Sequence, residues 1–392
     1  MQAFFDAFRQ HITPGDILVL AVSGGVDSMV LLDLVLANHP RDNIVVAHFD
    51  HSLRGVESDN DRLFIANYCE KWYIHFEVEK MDINTLAQEE KMSIEMAARK
   101  YRYIFLEEIA QKYWAKYILT AHHLDDRIET AMFNLIRGTK FGGIHALSFL
   151  SSRRDPFQNH IWVENSQNCL KKWKRDLPTR GILTPSTSLR SDKTEKWGIF
   201  RPLLHISKSD ILAYAKEKNI EYREDSTNTD TAYLRNHLRH TVLPEFERIN
   251  PEYRRSIERF VEYSGEVQNW IDEQVREWLI IQAESIKQKA SSRKPKKSNV
   301  QIGELNIQDQ SPITNHQSLF SFLIPDFRGQ SRFFQREIVR YLYEEANDGT
   351  IWLSEWLIEE LIRFITEGSN SYGVREVKKL RLERRGERIL WG

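Results

Sequence analysis

The stretch "AVSGGVDS", Ala21 to Ser28, places two glycines, two serines and an aspartate between an apolar run and a second, apolar-periodic run. A glycine-rich turn between a strand and a helix N-terminus suits an anion, because backbone N–H groups and the helix dipole both favour negative charge. The stretch has neither the lysine of a Walker A loop nor the GxGxxG dinucleotide spacing. A carboxylate such as Asp27 is unfavourable beside phosphate unless a cation lies between them. The residues therefore predict a pyrophosphate site in which Asp27 holds Mg²⁺; the alternative is a tight turn in which Asp27 only begins a helix.

A second cluster, "HHLDDRIET", runs from His122 to Thr130. If a helix begins near Leu124, Asp126 and Glu129 are three apart and share one of its faces. Two neighbouring carboxylates are tolerable when they receive a cation, and a carboxylate or His123 could accept a proton from an attacking amine. Two histidines with two aspartates also resemble a metal site, although the HExxH spacing is missing. Both interpretations stay open.

The elements that position these clusters follow from the alternation of short β-branched runs with longer helical patterns between Asp16 and about Phe149. This alternation predicts βαβ units and an α/β fold, with a doubly wound, mostly parallel sheet that carries helices on both faces. Three strand ends carry the polar clusters "SGGVDS", "HFDHSLR" and "AHHLDD". Ligands bind at the carboxyl ends of such strands, so we expect the three clusters to converge.

Composition and charge limit the class of protein. The chain has 392 residues, 41% of them hydrophobic and 28% charged. No apolar run approaches the roughly 18–20 residues of a membrane helix, and the N-terminus predicts an amphipathic helix instead of a signal peptide. Cys69 and Cys169 form no CxxC pair, so no zinc or iron–sulfur site is indicated. We expect a cytoplasmic protein without a membrane partner.

The formal net charge of −1 hides three basic islands, "KKWKR", "SSRKPKK" and "REVKKLRLERRGER". Each could be a solvated face or a linker, and together they only permit an RNA partner.

Periodicity is lost between Ser151 and about Trp197, which predicts a long loop or insertion. A helical pattern of apolar residues resumes afterwards, and Ser207 is predicted to be the N-cap of one helix. The C-terminal region is predicted to be mainly helical, with two helices in the tail and a closing hairpin, "KKLRLERR-GE-RILWG".

Six motifs occur in order: "SGGVDS", "HFDHSLR", "AARKYRY", "TAHHLDDRIET", "RPLL" and "EDSTNTDTAYLRNHLR". This series, which covers about Asp16 to Leu243 apart from the insertion, resembles the tRNA(Ile)-lysidine synthetase family of N-type ATP pyrophosphatases. The tail from Phe333 to Gly392 is similar to that family's first C-terminal domain. The resemblance implies an adenine-nucleotide α-hydrolase-like catalytic domain over residues 1–222, with insertion 151–197, and a tRNA-binding domain over 223–392.

The resemblance also implies a reaction that uses ATP and Mg²⁺. ATP adenylates the C2 oxygen of the wobble cytidine in a tRNA(Ile) with the anticodon CAU, and pyrophosphate leaves. The ε-amine of free L-lysine then displaces AMP to give lysidine, which pairs with A instead of G. A homodimer is left open.

The resemblance assigns roles residue by residue, and structural alternatives remain for several of them. His48 and Asp50 could be polar caps of a strand end, Arg99 and Arg102 could form surface salt bridges to Glu95 or Glu107, and the tRNA residues could cap or bridge helices. The residues assigned to the nucleotide are Ser23, Gly24, Gly25, Val26, Asp27, Ser28, His48 and Asp50, with Asp27 also holding Mg²⁺ through ATP. The residues assigned to catalysis are Asp27, Arg99, Arg102, His123, Asp126 and Glu129. The residues assigned to tRNA are Arg201, Tyr233, Arg235, Asn236 and Arg239.

The chain departs from the family pattern in three places. The insertion stands where a short connection is expected, "RGTKFGGIHAL" has Phe141 and Ile144 where smaller or leucine side chains are expected, and the longest members continue beyond the hairpin into a domain that grips the acceptor stem. Two rivals remain. A tRNA cytidine 2-thiolation protein shares the loop but needs CxxC cysteines, and a non-catalytic nucleotide- or RNA-binding relative would gain nothing from Asp27, Asp126 and Glu129.

Overall fold

A computed structural model describes residues 1–53, 55–145, 147–152, 197–223, 234–291, 320–347, 353–367 and 372–391. These residues fall into two compact units, Met1–Gly265 and Glu266–Gly392. The domain boundary predicted at residue 222 stays a prediction. The predicted insertion lies outside the described residues except for Ser151, Ser152 and Trp197.

The first unit is built on a six-stranded sheet. Its strand order is β3-β2-β1-β4-β6-β5, and neighbouring strands are parallel except for β5, which runs antiparallel to β6. The fold class predicted from the alternating pattern is therefore confirmed. The strands are β1 (Leu18–Ala21), β2 (Ile44–Asp50), β3 (His75–Lys80), β4 (Tyr117–Leu119), β5 (Leu150–Ser152) and β6 (Gly198–Phe200).

Helices cover both faces of this sheet, and several begin where the sequence places a capping side chain. The Ser93 hydroxyl accepts a hydrogen bond from the N–H of Met96, and the Ser207 hydroxyl accepts one from the N–H of Asp210, as expected of serine N-caps. The helices are α1 (Gln2–His11), α2 (Val26–Leu36), α3 (Val56–Trp72), α4 (Ile83–Glu89), α5 (Ile94–Lys112), α6 (Leu124–Ile136), α7 (Phe141–Ile144), α8 (Lys208–Glu217), α9 (Leu234–His237), α10 (Leu243–Ile249) and α11 (Tyr253–Ser291). A 3₁₀-helix spans Arg41–Asn43 and a π-helix spans Leu238–Val242.

Strand β1 shows why the sheet needs helices on both sides. Successive side chains of a strand point to opposite faces. Leu18 and Leu20 pack in the cluster that contains α2 residues, whereas Val19 packs in the cluster that contains α5 residues. All three are 0% exposed. Full burial of each such side chain stabilises the fold by about 1.5–3 kcal/mol, which fixes the strand end that carries the glycine-rich turn.

The second unit combines helices with an antiparallel sheet of order β7-β10-β9-β8. The predicted closing hairpin is present, with Arg385 opposite Arg388 across its turn, and both predicted tail helices form. Sequence reasoning missed the other two strands, β7 and β8. The elements are β7 (Phe320–Leu323), α12 (Ile324–Arg328), α13 (Arg332–Ala346), α14 (Glu355–Glu367), β8 (Tyr372–Val377), β9 (Leu380–Arg385) and β10 (Arg388–Trp391). Among the helices of the described ranges, none has the length and apolar character needed to cross a bilayer.

Candidate active site

A cavity of about 480 Å³ opens at the carboxyl ends of β1, β2 and β4. Its volume lies within the range of small-molecule sites, roughly 300–1,000 Å³. The three polar clusters of the sequence therefore converge as expected. One wall is apolar, formed by Ala47, Phe49 and Leu106 among others. The predicted site residues that line the cavity are Ser23, Asp27, Ser28, His48, Asp50, Arg102 and Asp126.

The turn between β1 and α2 presents its backbone amides to one point. The N–H groups of Ser23 and Gly24 both donate to the Ser28 hydroxyl oxygen, each over 3.2 Å, and that hydroxyl donates to the Gly25 carbonyl over 2.9 Å. Gly24 has φ +89°, a conformation that costs a residue with a side chain roughly 1–2 kcal/mol. Val26 begins α2 and its side chain is buried in the core. Two amides thus converge on one oxygen at a helix N-terminus, the arrangement that a phosphate oxygen requires.

Asp27 lies in the first turn of α2 and is held by a lysine that sequence reasoning missed. The Lys208 ammonium is 2.6 and 2.8 Å from the two carboxylate oxygens of Asp27, although the residues are 181 positions apart. Lys208 is the first residue of α8 and directly follows the predicted cap Ser207. That position, just after "RPLL", was the signal available in the sequence.

Asp125 fixes the backbone of Lys208. The N–H of Lys208 donates to one Asp125 oxygen over 2.8 Å, and Nε of Arg254 donates to the other over 3.0 Å. Burial raises the pKa of the Asp125 carboxyl, but these hydrogen bonds outweigh burial and leave the pKa lowered. The ionised Asp125 therefore ties the starts of α6 and α8 together.

His48 and Asp50 stand at the end of β2. Burial lowers the pKa of His48, and its Nδ1 lies 2.9 Å from the Val22 carbonyl oxygen. A carbonyl can only accept, so Nδ1 of the neutral ring carries the proton. One Asp50 oxygen accepts from the N–H of Ser52 over 2.8 Å. The other is buried and has no hydrogen-bond partner among the described residues; the Lys80 ammonium is 3.9 Å from it.

The donor set of this cavity fits Mg²⁺. Asp27 and Asp50 both line it, and carboxylate oxygens are the ligands that Mg²⁺ prefers, usually one or two of them together with phosphates. Within the described part of the chain, the buried Asp50 oxygen has no hydrogen-bond partner, so it is a ligand atom that a metal ion could take up.

The carboxylates of α6 share one face, as their spacing predicts. The His123 N–H donates to Asp126 over 3.0 Å, and His123 Nε2 lies 3.5 Å from Asp126 and 3.8 Å from Asp27. Glu129 is 2% exposed and receives two hydrogen bonds from the Arg239 guanidinium, over 2.6 and 2.9 Å. The same guanidinium is 3.5 Å from Asp126. Asp126 and Glu129 thus hold a cation, the guanidinium of Arg239, which the motif series assigned to tRNA.

Arg99 and Arg102 lie on α5, as predicted. Their guanidinium carbons are 5.4 and 5.5 Å from the centre of the Tyr103 ring. Arg102 lines the cavity, so its guanidinium lies beside the space that a phosphate or a base would occupy.

The other residues assigned to tRNA differ in burial, and some lie outside the described residues. Arg201 is 0% exposed, and one of its terminal nitrogens donates to the Ser148 carbonyl over 2.8 Å. The guanidinium thus supports the chain before β5, and the tRNA role predicted for Arg201 stays a prediction. Asn236 lies half-buried in α9. Tyr233 lies outside the described residues, as does the side chain of Arg235.

The alternative of a metal site in "HHLDD" gains no support. Within the described ranges, the group whose three ligand-type atoms lie within 4.8 Å of one another is His205, Glu258 and Glu262. That group contains none of the histidines or aspartates of "HHLDD", and the Arg127 guanidinium lies 3.5 Å from Glu262.

Comparison with known proteins adds a family to this geometry. A model described as the PP-loop domain matches residues 2–246. The tRNA(Ile)-lysidine synthase of Thermosipho africanus is 33% identical over 70% of this chain and 55% of its own length. That of Bacillus cereus is 30% identical over 92% of this chain and 62% of its own length. That of Chlorobaculum tepidum is 32% identical over 67% of this chain and 67% of its own length. The chain thus spans about half to two thirds of the length of these relatives.

Proposed function

We propose that this chain, which belongs to the tRNA(Ile)-lysidine synthase family of PP-loop proteins, joins lysine to C2 of the wobble cytidine in a tRNA(Ile) with the anticodon CAU. One observation carries the proposal. One cavity is lined by Ser23 and Ser28 of the glycine-rich turn, by the acids Asp27 and Asp50, and by Asp126 from a carboxylate face that binds a cation. Activation of an oxygen by ATP needs the phosphate and magnesium groups, and attack by an amine needs the carboxylates, so both sets must lie side by side.

The first half-reaction uses the turn and the N-terminus of α2. The C2 oxygen of the cytidine attacks the α-phosphorus of ATP, and pyrophosphate leaves with the electrons of the broken bond. Ser23 and Ser28 line the cavity at the N-terminus of α2, and fixed dipoles and donors of this kind stabilise the negative charge that develops on the leaving group without reorganisation. Asp27 and Asp50 would hold Mg²⁺, which when bound neutralises the phosphate oxygens. The apolar wall around Phe49 suits the adenine ring.

The second half-reaction uses the face of α6. The lysine side chain arrives as an ammonium, which Asp126 and Glu129 attract. It must lose one proton to become a nucleophile and a second proton after it attacks C2 and displaces AMP. A carboxylate of this pair, with His123 3.5 Å from Asp126, is placed to receive them.

The base must also reach the cavity. A wobble base is stacked in the anticodon loop, and enzymes that modify a base first turn it out into a pocket. Arg102 is the predicted cationic residue that lines the cavity from α5, and it can engage the displaced nucleotide through phosphate or a base edge.

A specific observation favours ligation over thiolation. Cys69 is 1% exposed, and burial raises the pKa of its thiol to about 12. Only a thiolate is an effective sulfur nucleophile. Cys69 is therefore unsuited to carry sulfur, and Cys169 lies outside the described residues.

The test is incubation of the purified protein with Mg-ATP, labelled lysine and a tRNA(Ile) transcript bearing CAU, beside a methionine tRNA transcript with the same anticodon. We expect label on the isoleucine transcript alone. AMP release without label on either RNA would contradict the lysine assignment. The E129Q variant should lose labelling, whereas E245Q, which changes an exposed glutamate of α10, should retain it.

A further inference from the structure

The backbone of Lys208 is held in place, whereas the ammonium end of its side chain can move. Its backbone is held by Asp125 and by the Ser207 cap, but its side chain is 37% exposed. Its ammonium reaches the N-terminal turn of α2, where it bonds both oxygens of Asp27. A lysine ammonium on a flexible four-carbon stem can therefore change partner while its Cα stays in place.

Under the proposed function, Asp27 cannot keep this partner through the reaction. Its carboxylate is the group that meets the cation accompanying ATP, and a carboxylate coordinated to Mg²⁺ holds an ammonium less strongly. The negative charge nearest to a released Lys208 would then be the nucleotide phosphates at the turn between β1 and α2.

We propose that Lys208 binds the β- and γ-phosphates of the nucleotide, and that Asp27 holds its ammonium in readiness while the site is empty. The inference rests on the proposed function and deepens it. Lysine is a common phosphate ligand that acts as a point charge. Here the lysine comes from the start of α8, not from the glycine-rich loop, which explains how "SGGVDS" operates without a lysine of its own.

A simpler role would be that Lys208 only neutralises Asp27. Replacement of Lys208 alone cannot separate the two roles, because it also leaves the Asp27 carboxylate to repel phosphate. A background without that charge separates them. If Lys208 only neutralises Asp27, K208Q has no effect on nucleotide affinity in a D27N protein; if Lys208 binds phosphate, K208Q still weakens it.

The experiment is calorimetric titration of the full chain with α,β-methylene-ATP in EDTA, which compares D27N with D27N/K208Q. We expect the double variant to bind about tenfold more weakly or worse, the cost of one charge-assisted hydrogen bond. Equal affinity of the two proteins would overturn the inference. AMP, which lacks the β- and γ-phosphates, should bind both equally, and a matching loss for AMP would also overturn it.

A second comparison, in magnesium, keeps the inference open to refutation if D27N fails to fold. There, K208Q should lose about tenfold in affinity for α,β-methylene-ATP, K208R should lose little, and K216Q, which changes an exposed lysine of α8, should match the wild type. Wild-type affinity in K208Q would overturn the inference. Lysine transfer to tRNA by the wild type, measured separately, would show that the proposed function stands even if Lys208 fails this test.

Discussion

Arg239 clamps Glu129 through two hydrogen bonds, with Nε donating to one carboxylate oxygen over 2.6 Å and a terminal nitrogen donating to the other over 2.9 Å. Glu129 is 2% exposed, and the two residues are 110 positions apart. Burial lowers the pKa of Arg239, but the hydrogen bond to Glu129 and the charges of the nearby carboxylates together outweigh burial, and the pKa is raised. Arg239 lies in the π-helix Leu238–Val242, a distortion that is frequent at functional sites. A charged guanidinium thus stands where an ammonium substrate is proposed to bind.

The first prediction is that R239A destabilises the protein. It removes two hydrogen bonds from a buried carboxylate, which costs about 1–3 kcal/mol or more. The free energy of unfolding by urea measures this loss. The double variant E129Q/R239A should recover part of it because the buried negative charge is gone. An R239A protein as stable as the wild type would show that the clamp contributes nothing.

The second prediction compares two glycines with positive φ, Gly24 at +89° and Gly138 at +80°. A Cβ at Gly24 would make ordinary contact with Ile65 at 3.5 Å, and one at Gly138 would meet nothing within 4 Å. Both G24A and G138A should therefore lose roughly 1–2 kcal/mol of stability through backbone strain. Only G24A should also weaken ATP binding, since Gly24 belongs to the turn that leads into α2 at the cavity, whereas Gly138 follows the end of α6. Equal ATP affinity in the two variants would refute the role of the turn.

Features set by neighbours in the sequence were predictable, and those set by distant neighbours were not. The turn at Gly24 and the shared face of Asp126 and Glu129 follow from local spacing. Lys208 meets Asp27 across 181 positions, a pairing that depends on how α8 packs against α2. No local pattern specifies such a contact.

The burial of Arg201 was not predicted. Arginine is almost never fully buried unless it is paired, so the residue type in "RPLL" gave no reason to expect it. The structure buries it completely beside the Ser148 carbonyl. Strand β7 was missed for a related reason, because its four residues, Phe320–Leu323, form a strand only through pairing with β10 at the end of the chain.

The third prediction concerns pH. Burial lowers the pKa of His48, so below about pH 6.5 the unfolded chain binds a proton that the native ring does not, and stability falls as pH falls. In H48Q the slope of unfolding free energy against pH should be shallower as the pH falls below about 6.5. His39, whose pKa is also lowered by burial, provides the control: H39Q should flatten the slope without changing ATP affinity. An unchanged slope in H48Q would mean that this histidine is not held neutral.

The last prediction concerns the carboxylate that anchors Lys208. Asp125 accepts hydrogen bonds from the Lys208 N–H and from Arg254, and its pKa is lowered because these bonds outweigh the effect of burial. A carboxyl whose folded pKa is depressed stabilises the protein above its unfolded pKa, and this contribution is lost as the pH falls through the folded value. D125N should therefore cost about 1–3 kcal/mol at neutral pH, measured by urea unfolding. The gap from wild type should narrow as the pH falls below the ordinary aspartate value of 3.8. D82N, which changes the exposed N-cap of α4, should cost little, because asparagine caps helices as well as aspartate does. A gap for D125N that stays constant with pH would mean that its charge does not hold Lys208 in place.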